Sequence, residues 1–246
     1  MLRAPLLAAV CLGLLTLAPA ADAAKPVRGA APVNLHGFLL RSDEPVGNSF
    51  PRTPSFAWNP VPGAIRYQFQ LATSSSFRES GIVYSTSGLG TPVAAPTVML
   101  PWITGNPHAL FARVRGITAK GTTPWSAAFG FDMEPGAAPK PLPSEAGLLR
   151  WSPIEGADGY QVWFVDINNP TPKMETVFTN VLDEREFYTF HRTASWTGAV
   201  RWRIRALRTD RTDDKQQSRQ NGLPAVGYGP WSPVYSSTNP AYVGGP

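Results

Sequence analysis

Trp58-Asn-Pro60-Val-Pro-Gly63-Ala64-Ile-Arg-Tyr67 recurs along the chain as Trp151-Ser-Pro153-Ile-Glu-Gly156-Ala157-Asp-Gly-Tyr160, with five identities at one offset of 93 residues. A second echo follows each copy. Phe111-Ala-Arg113-Val114-Arg115 is matched by Trp202-Arg203-Ile204-Arg205, the Arg-aliphatic-Arg unit lying at an offset of 90. A third pairs Pro124-Trp125-Ser126 with Pro230-Trp231-Ser232 at an offset of 106. Three landmarks in the same order mark an internal duplication. The growth in offset from 90 to 106 gives the second copy 16 extra residues before its last landmark, near Arg208 to Gly229.

Within each copy the apolar residues recur with a period of two, the signature of strands with one buried face. Tyr67, Phe69 and Leu71 alternate with Arg66, Gln68 and Gln70, and Tyr160, Val162 and Phe164 share a face in the second copy. Leu110, Ala112 and Val114 oppose Arg113 and Arg115, as Val200, Trp202 and Ile204 oppose Arg201, Arg203 and Arg205. Composition agrees. The 246 residues include 26 Pro and only 16% charged residues, against about 25% in an average soluble chain. Each interior proline removes a backbone donor and costs a helix about 3 kcal/mol, so long helices and helix bundles are excluded. With 43% hydrophobic and 11% aromatic residues the chain can still build a core. Short strands separated by Pro/Gly turns over roughly 100 residues predict an all-β chain of sandwiches.

The order Trp-x-Pro-x-x-Gly-Ala-x-x-Tyr, then an aromatic strand with Arg-x-Arg, then Pro-Trp-Ser resembles tandem fibronectin type III domains of secreted bacterial proteins. The resemblance implies two immunoglobulin-like β-sandwiches, at 35–133 and 144–240, joined by the proline-rich linker 134–143. It implies that Trp58 and Trp151 lie on strand B in the core, Tyr67 and Tyr160 open strand C, the Arg-rich strands are F, and Pro-Trp-Ser opens strand G. A polyproline-like linker would act as a stiff spacer between sandwiches set end to end.

The first residues combine Arg3, an apolar stretch from Leu6 to Leu17 and small residues at Ala18-Pro-Ala20 and Ala21-Asp-Ala23, the pattern of a cleaved signal peptide over 1–24. That stretch is shorter than the ~20 residues of a membrane helix. Ser80 to Ala112 lacks charge, but four prolines break it, so no transmembrane segment is expected after signal removal. Cys11 is the only cysteine and falls in the signal. The mature chain is therefore expected without disulfides, thiol nucleophiles or cysteine-held metals, and to be secreted, at the cell surface or in the periplasm.

Candidate binding residues are few. From Arg201 to Arg219 there are seven cations and three anions, so most of the formal +5 is local to one strand and the inserted loop. Arg208, Arg211, Lys215 and Arg219 are the loop candidates for an anionic partner, against the alternative of a solvated hairpin tip. Trp163 falls on the polar-facing phase of its strand, where the first copy carries glutamines, and suits sugar stacking or a protein interface. The outward arginines are placed to stack on Trp125 and Trp231 as two cation–π ladders of structural character. His36, His108 and His191 are scattered, and no catalytic, metal or nucleotide motif is present; no cofactor is expected. These readings predict a non-catalytic exported spacer or adhesion module for a protein or polysaccharide partner, without specific nucleic-acid binding. The alternatives are an accessory module, or a fragment, of a secreted carbohydrate-active enzyme, and a dedicated glycan-binding module using Trp163 or the loop.

Overall fold

The computed structural model describes residues 29–45, 47–143, 148–166, 169–178, 181–183, 199–209 and 222–238. The signal peptide expected over 1–24 lies outside them. Apart from a single 3-10 turn at Glu79–Gly81, every described element is a β-strand. No helix among the described residues is long and apolar enough to cross a membrane.

The first sandwich packs a small sheet, β1 (His36–Phe38), β3 (Ser55–Ala57) and β6 (Val93–Ala94), against a larger one. The larger sheet runs in the order β2 (Ser49–Phe50), β9 (Phe129–Met133), β7 (Leu110–Thr118), β4 (Ala64–Ala72) and β5 (Ile82–Leu89), with β8 (Gly121–Thr122) also on β7. All pairs are antiparallel except β2 with β9. The second sandwich repeats the plan. Its small sheet is β10 (Leu148–Arg150) with β13 (Val181–Asp183). Its larger sheet is β12 (Asn169–Val177), β11 (Gly159–Asp166), β14 (Ala199–Thr209) and β15 (Val226–Tyr228), with β16 (Tyr235–Thr238) also on β14. Three or fewer strands facing a larger sheet in this order is the fibronectin type III-like, immunoglobulin-type arrangement, occurring twice in tandem.

The repeated motif explains why each sandwich folds. Ala64 N–H donates to the Val61 carbonyl at 3.1 Å and Ala157 N–H to that of Ile154 at 3.1 Å, closing one turn in each copy. Gly63 (φ +77°) and Gly156 (φ +81°) occupy the third turn position, where a type II turn needs positive φ. The tyrosine then folds back over the turn it follows. The Tyr67 hydroxyl accepts from Val61 N–H and the Tyr160 hydroxyl from Ile154 N–H, both at 2.9 Å. Each tyrosine ring meets its tryptophan edge-on with centroids 5.3 Å apart, Trp58 with Tyr67 and Trp151 with Tyr160. Phe56, Phe69, Leu71 and Phe131 complete the first core, and Val162, Trp202 and Ile204 the second. Burying each such side chain is worth roughly 1.5–3 kcal/mol, and this burial holds the described residues, which include no cysteine.

Pro-Trp-Ser does not open the last strand but interrupts it. β8 and β9 both pair with β7, and β15 and β16 both pair with β14, with the tripeptide between the halves. Proline has no N–H for the ladder, so the chain leaves the sheet there and the serine restores the pairing. Ser126 N–H donates to the Val114 carbonyl (2.8 Å) while its Oγ accepts from Val114 N–H (3.1 Å). Ser232 repeats this on Ile204 at 2.8 and 3.0 Å.

The later part of 134–143 is not free spacer. Leu142 N–H donates to the Arg150 carbonyl and Ser152 N–H to that of Lys140, so this segment lies along the edge of β10.

Candidate functional site

Two places gather charged side chains: the junction between the sandwiches and the outer face of each larger sheet. At the junction sits Arg208, 5% exposed. The residue belongs to β14, not to the inserted loop, because that strand extends to Thr209. Arg208 shares the inward phase of Val200, Trp202, Ile204 and Ala206, and this alternation, carried two residues further, was the signal for its burial. Its Nε donates to the Leu100 carbonyl at 2.5 Å and its Nη2 to Thr53 Oγ1 at 3.2 Å, both in the first sandwich. Nη1 donates to the Gly156 carbonyl at 2.6 Å in the second. Burial pulls the Arg208 pKa below the ordinary arginine value, Asp158 opposes that shift and Arg52 adds to it.

The repeated turn is reused as the other half of the clamp. Where the first copy has Pro62, the second has Glu155. Its carboxylate accepts from Arg52 Nε at 3.0 Å and from the Arg41 guanidinium. Arg52 also donates to the Leu39 carbonyl at 2.5 Å, and Trp102 Nε1 to the Pro51 carbonyl at 2.8 Å. Backbones meet closely here. A Cβ on Gly156 would stand 1.8 Å from the Pro51 carbonyl oxygen, and one on Gly227 2.3 Å from that of Trp102. Both positions therefore admit only glycine.

On the outer sheet faces the expected ladders form. Arg113 and Arg115 lie over Trp125 at 4.1 and 4.5 Å, and Arg203 and Arg205 over Trp231 at 4.6 Å each. Phe77 adds a second ring to Arg113 and Tyr228 one to Arg205. Arg201, at the end of the row, is exposed. Glutamines anchor the guanidinium groups. Gln70 Oε1 accepts from Arg113, Gln68 Oε1 from Arg115 and Gln161 Oε1 from Arg205 at 2.7 to 2.9 Å. Partial burial lowers the pKa of Arg113, Arg115 and Arg205.

Trp163 is half-buried on β11, with Arg203 at 5.3 Å over its ring. Arg211, Lys215 and Arg219 lie outside the described residues. Thus of the five candidates the fold places Arg208 in the junction and Trp163 on the sheet face, and does not bring them together. Sequence reasoning missed Glu155, Arg41 and Arg52, because pairing across more than 100 residues leaves no local pattern. His108 Nδ1 lies 2.8 Å from Asp132 Oδ2. Asp132 also accepts from Gly105 and Ala109 N–H, so it ties the approach to β7 onto β9. His36 Nδ1 does meet a backbone carbonyl, that of Asn34, at 2.8 Å, and His191 lies outside the described residues. Among the described residues no cluster of three or more His, Cys, Asp and Glu side chains could hold a metal ion.

A scan against protein-family models found no match, and a search among curated proteins found none. Among solved structures, a two fibronectin type III domain segment of chicken tenascin aligns at 11% identity and a TM-score of 0.34, over 85% of this chain and 99% of that one. The FN1–FN3 domains of chicken CNTN1 align at 13% identity and a TM-score of 0.27, over 86% of this chain and 65% of that one. At those scores the fold assignment rests on this chain's own strand order: two fibronectin type III-like sandwiches in tandem.

Proposed function

We propose that this chain is a non-catalytic exported protein whose two sandwiches form a spacer and adhesion unit of fixed geometry for a protein or glycan partner. The N-terminal pattern of residues 1–24 supports export. The observation that carries the reading is Arg208. An arginine desolvated at a domain junction costs free energy unless it is hydrogen-bonded, and here each of its three nitrogens donates, two to the first sandwich and one to the second. Such a contact opposes the relative domain motion that is the default for tandem domains, and a set angle lowers the entropy lost when both sandwiches meet one partner.

Small-angle scattering of residues 25–246 tests this. One rigid arrangement is expected for the native chain, and a broadened distance distribution for Arg208→Ala and for Glu155→Ala. A native chain already as variable as Arg208→Ala overturns the fixed-geometry reading.

A further inference from the structure

Arg203 differs from its three counterparts in one respect. In the first sandwich the register sets Gln70 opposite Arg113, and in the second it sets Trp163 opposite Arg203. The exchange of glutamine for tryptophan removes the amide oxygen that fixes Arg113. Among the described residues Arg203 Nε is buried without a hydrogen-bond partner, and its guanidinium lies over the rings of both Trp163 and Trp231. A guanidinium has five N–H donors, and a buried one left unpaired is costly. The stacked rings attract the cation but satisfy none of those donors. The first sandwich shows that the equivalent sheet can provide an acceptor; with an aromatic platform in its place Arg203 Nε has none among the described residues, while Arg203 as a whole stays partly exposed.

The surroundings give the chemistry of what would pair with it. Strand register places Gln161, Trp163 and Val165 of β11 on one face with Arg205, Arg203 and Arg201 of β14. The next strand, β12, contributes Met174 opposite Trp163 and Thr176 opposite Gln161. Met174 is 54% exposed. None of these positions bears a carboxylate, and three bear a positive charge. Tryptophan, methionine and arginine on a flat face are the residues enriched in protein interfaces and in their hot spots. Among the described residues β12 is the sheet edge, but Pro170 and Pro172 withhold ladder donors from it, so the face rather than the edge is the contact surface.

We propose that this outer face of the second sandwich docks a partner protein through a carboxylate that pairs with Arg203, with an apolar side chain of the partner against Trp163 and Met174. The proposal rests on reading the chain as a binding module, but it does not need the Arg208 junction. Selection of a displayed random dodecapeptide library on residues 25–246 provides the probe, with oligogalacturonate as a polysaccharide arm. Enriched peptides are expected to carry Asp or Glu beside apolar residues. Their affinity is expected to fall at least about tenfold in Trp163→Gln, which restores the arrangement of the first sandwich, and in Arg203→Gln. Unchanged thermal unfolding of Trp163→Gln shows that the loss is one of binding. Enrichment without acidic residues, full binding by both variants, or binding of oligogalacturonate in place of peptide would each overturn the proposal. Loss of fixed geometry in scattering, with peptide binding retained, would refute the spacer reading and leave this site standing.

Discussion

The Arg208 guanidinium lies 2.5 Å from the Leu100 carbonyl, joining the end of β14 in the second sandwich to a loop of the first across 108 residues of chain. Truncation to Ala leaves the Leu100 and Gly156 carbonyls without a charged donor, each such bond being worth about 1.5–3 kcal/mol. Water entering the opened junction offsets part of that, so Arg208→Ala is expected to lose about 2–4 kcal/mol. Urea unfolding followed by tryptophan fluorescence measures it. A single native transition that splits into two in Arg208→Ala is the expected result.

The alternation Val200, Trp202, Ile204, Ala206 made the β14 core legible in the sequence, and one further step reaches Arg208. Charge assigns Arg208 to the basic loop and phase assigns it to the buried side of β14; the strand reaches Thr209, and phase decides. The ladder partners Arg113, Arg115 and Trp125 were visible because the duplication supplied a second copy to compare. Glu155 was not, since its role depends on Arg41 and Arg52, which meet it only across the junction of the two sandwiches. Periodicity reports which way a side chain faces within one sheet and carries no information about a contact between sheets of different domains.

Glu44 gives the fold an acid-sensitive point. Its carboxylate accepts from Arg41 N–H at 3.0 Å and Leu39 N–H at 2.7 Å. The Arg41 backbone bond is the largest cause that lowers its pKa below the ordinary 4.5. A pKa depressed in the folded state stabilises fully above the unfolded value, and that contribution is lost as pH falls through the folded one. Carboxyl titration by NMR is expected to find Glu44 below 4.5, and Glu44→Gln to flatten the pH dependence of unfolding below that point. A Glu44 midpoint at or above 4.5 would contradict the geometry.

Ser126 and Ser232 should respond alike to the loss of one oxygen. Each hydroxyl accepts the N–H of a buried central-strand residue, Val114 or Ile204, and donates to the carbonyl that follows it. Alanine cannot accept, and an orphaned buried N–H costs about 1–3 kcal/mol. Ser126→Ala and Ser232→Ala are each expected to lose that amount in thermal unfolding, while Ser→Thr keeps the acceptor and loses less. Hydrogen exchange at the Val114 and Ile204 amides locates the effect, which should appear there before it spreads along β7 and β14.

Gly63 and Gly156 occupy the same position of the same turn, so the difference between them isolates the domain junction. At Gly63 a Cβ meets nothing within 4 Å, and alanine there carries only the cost of a left-handed φ, about 1–2 kcal/mol. At Gly156 the φ is nearly equal, but a Cβ would overlap the Pro51 carbonyl oxygen at 1.8 Å, which no side-chain rotation relieves. The second sandwich can keep its own core only by backing away from the first. Gly156→Ala is therefore expected to lose the Arg208 and Glu155 contacts together, broadening the scattering profile, whereas Gly63→Ala lowers the unfolding midpoint and leaves the interdomain arrangement intact. Equal effects of the two substitutions on the scattering profile would show that the turn, and not its approach to Pro51, sets the role of Gly156.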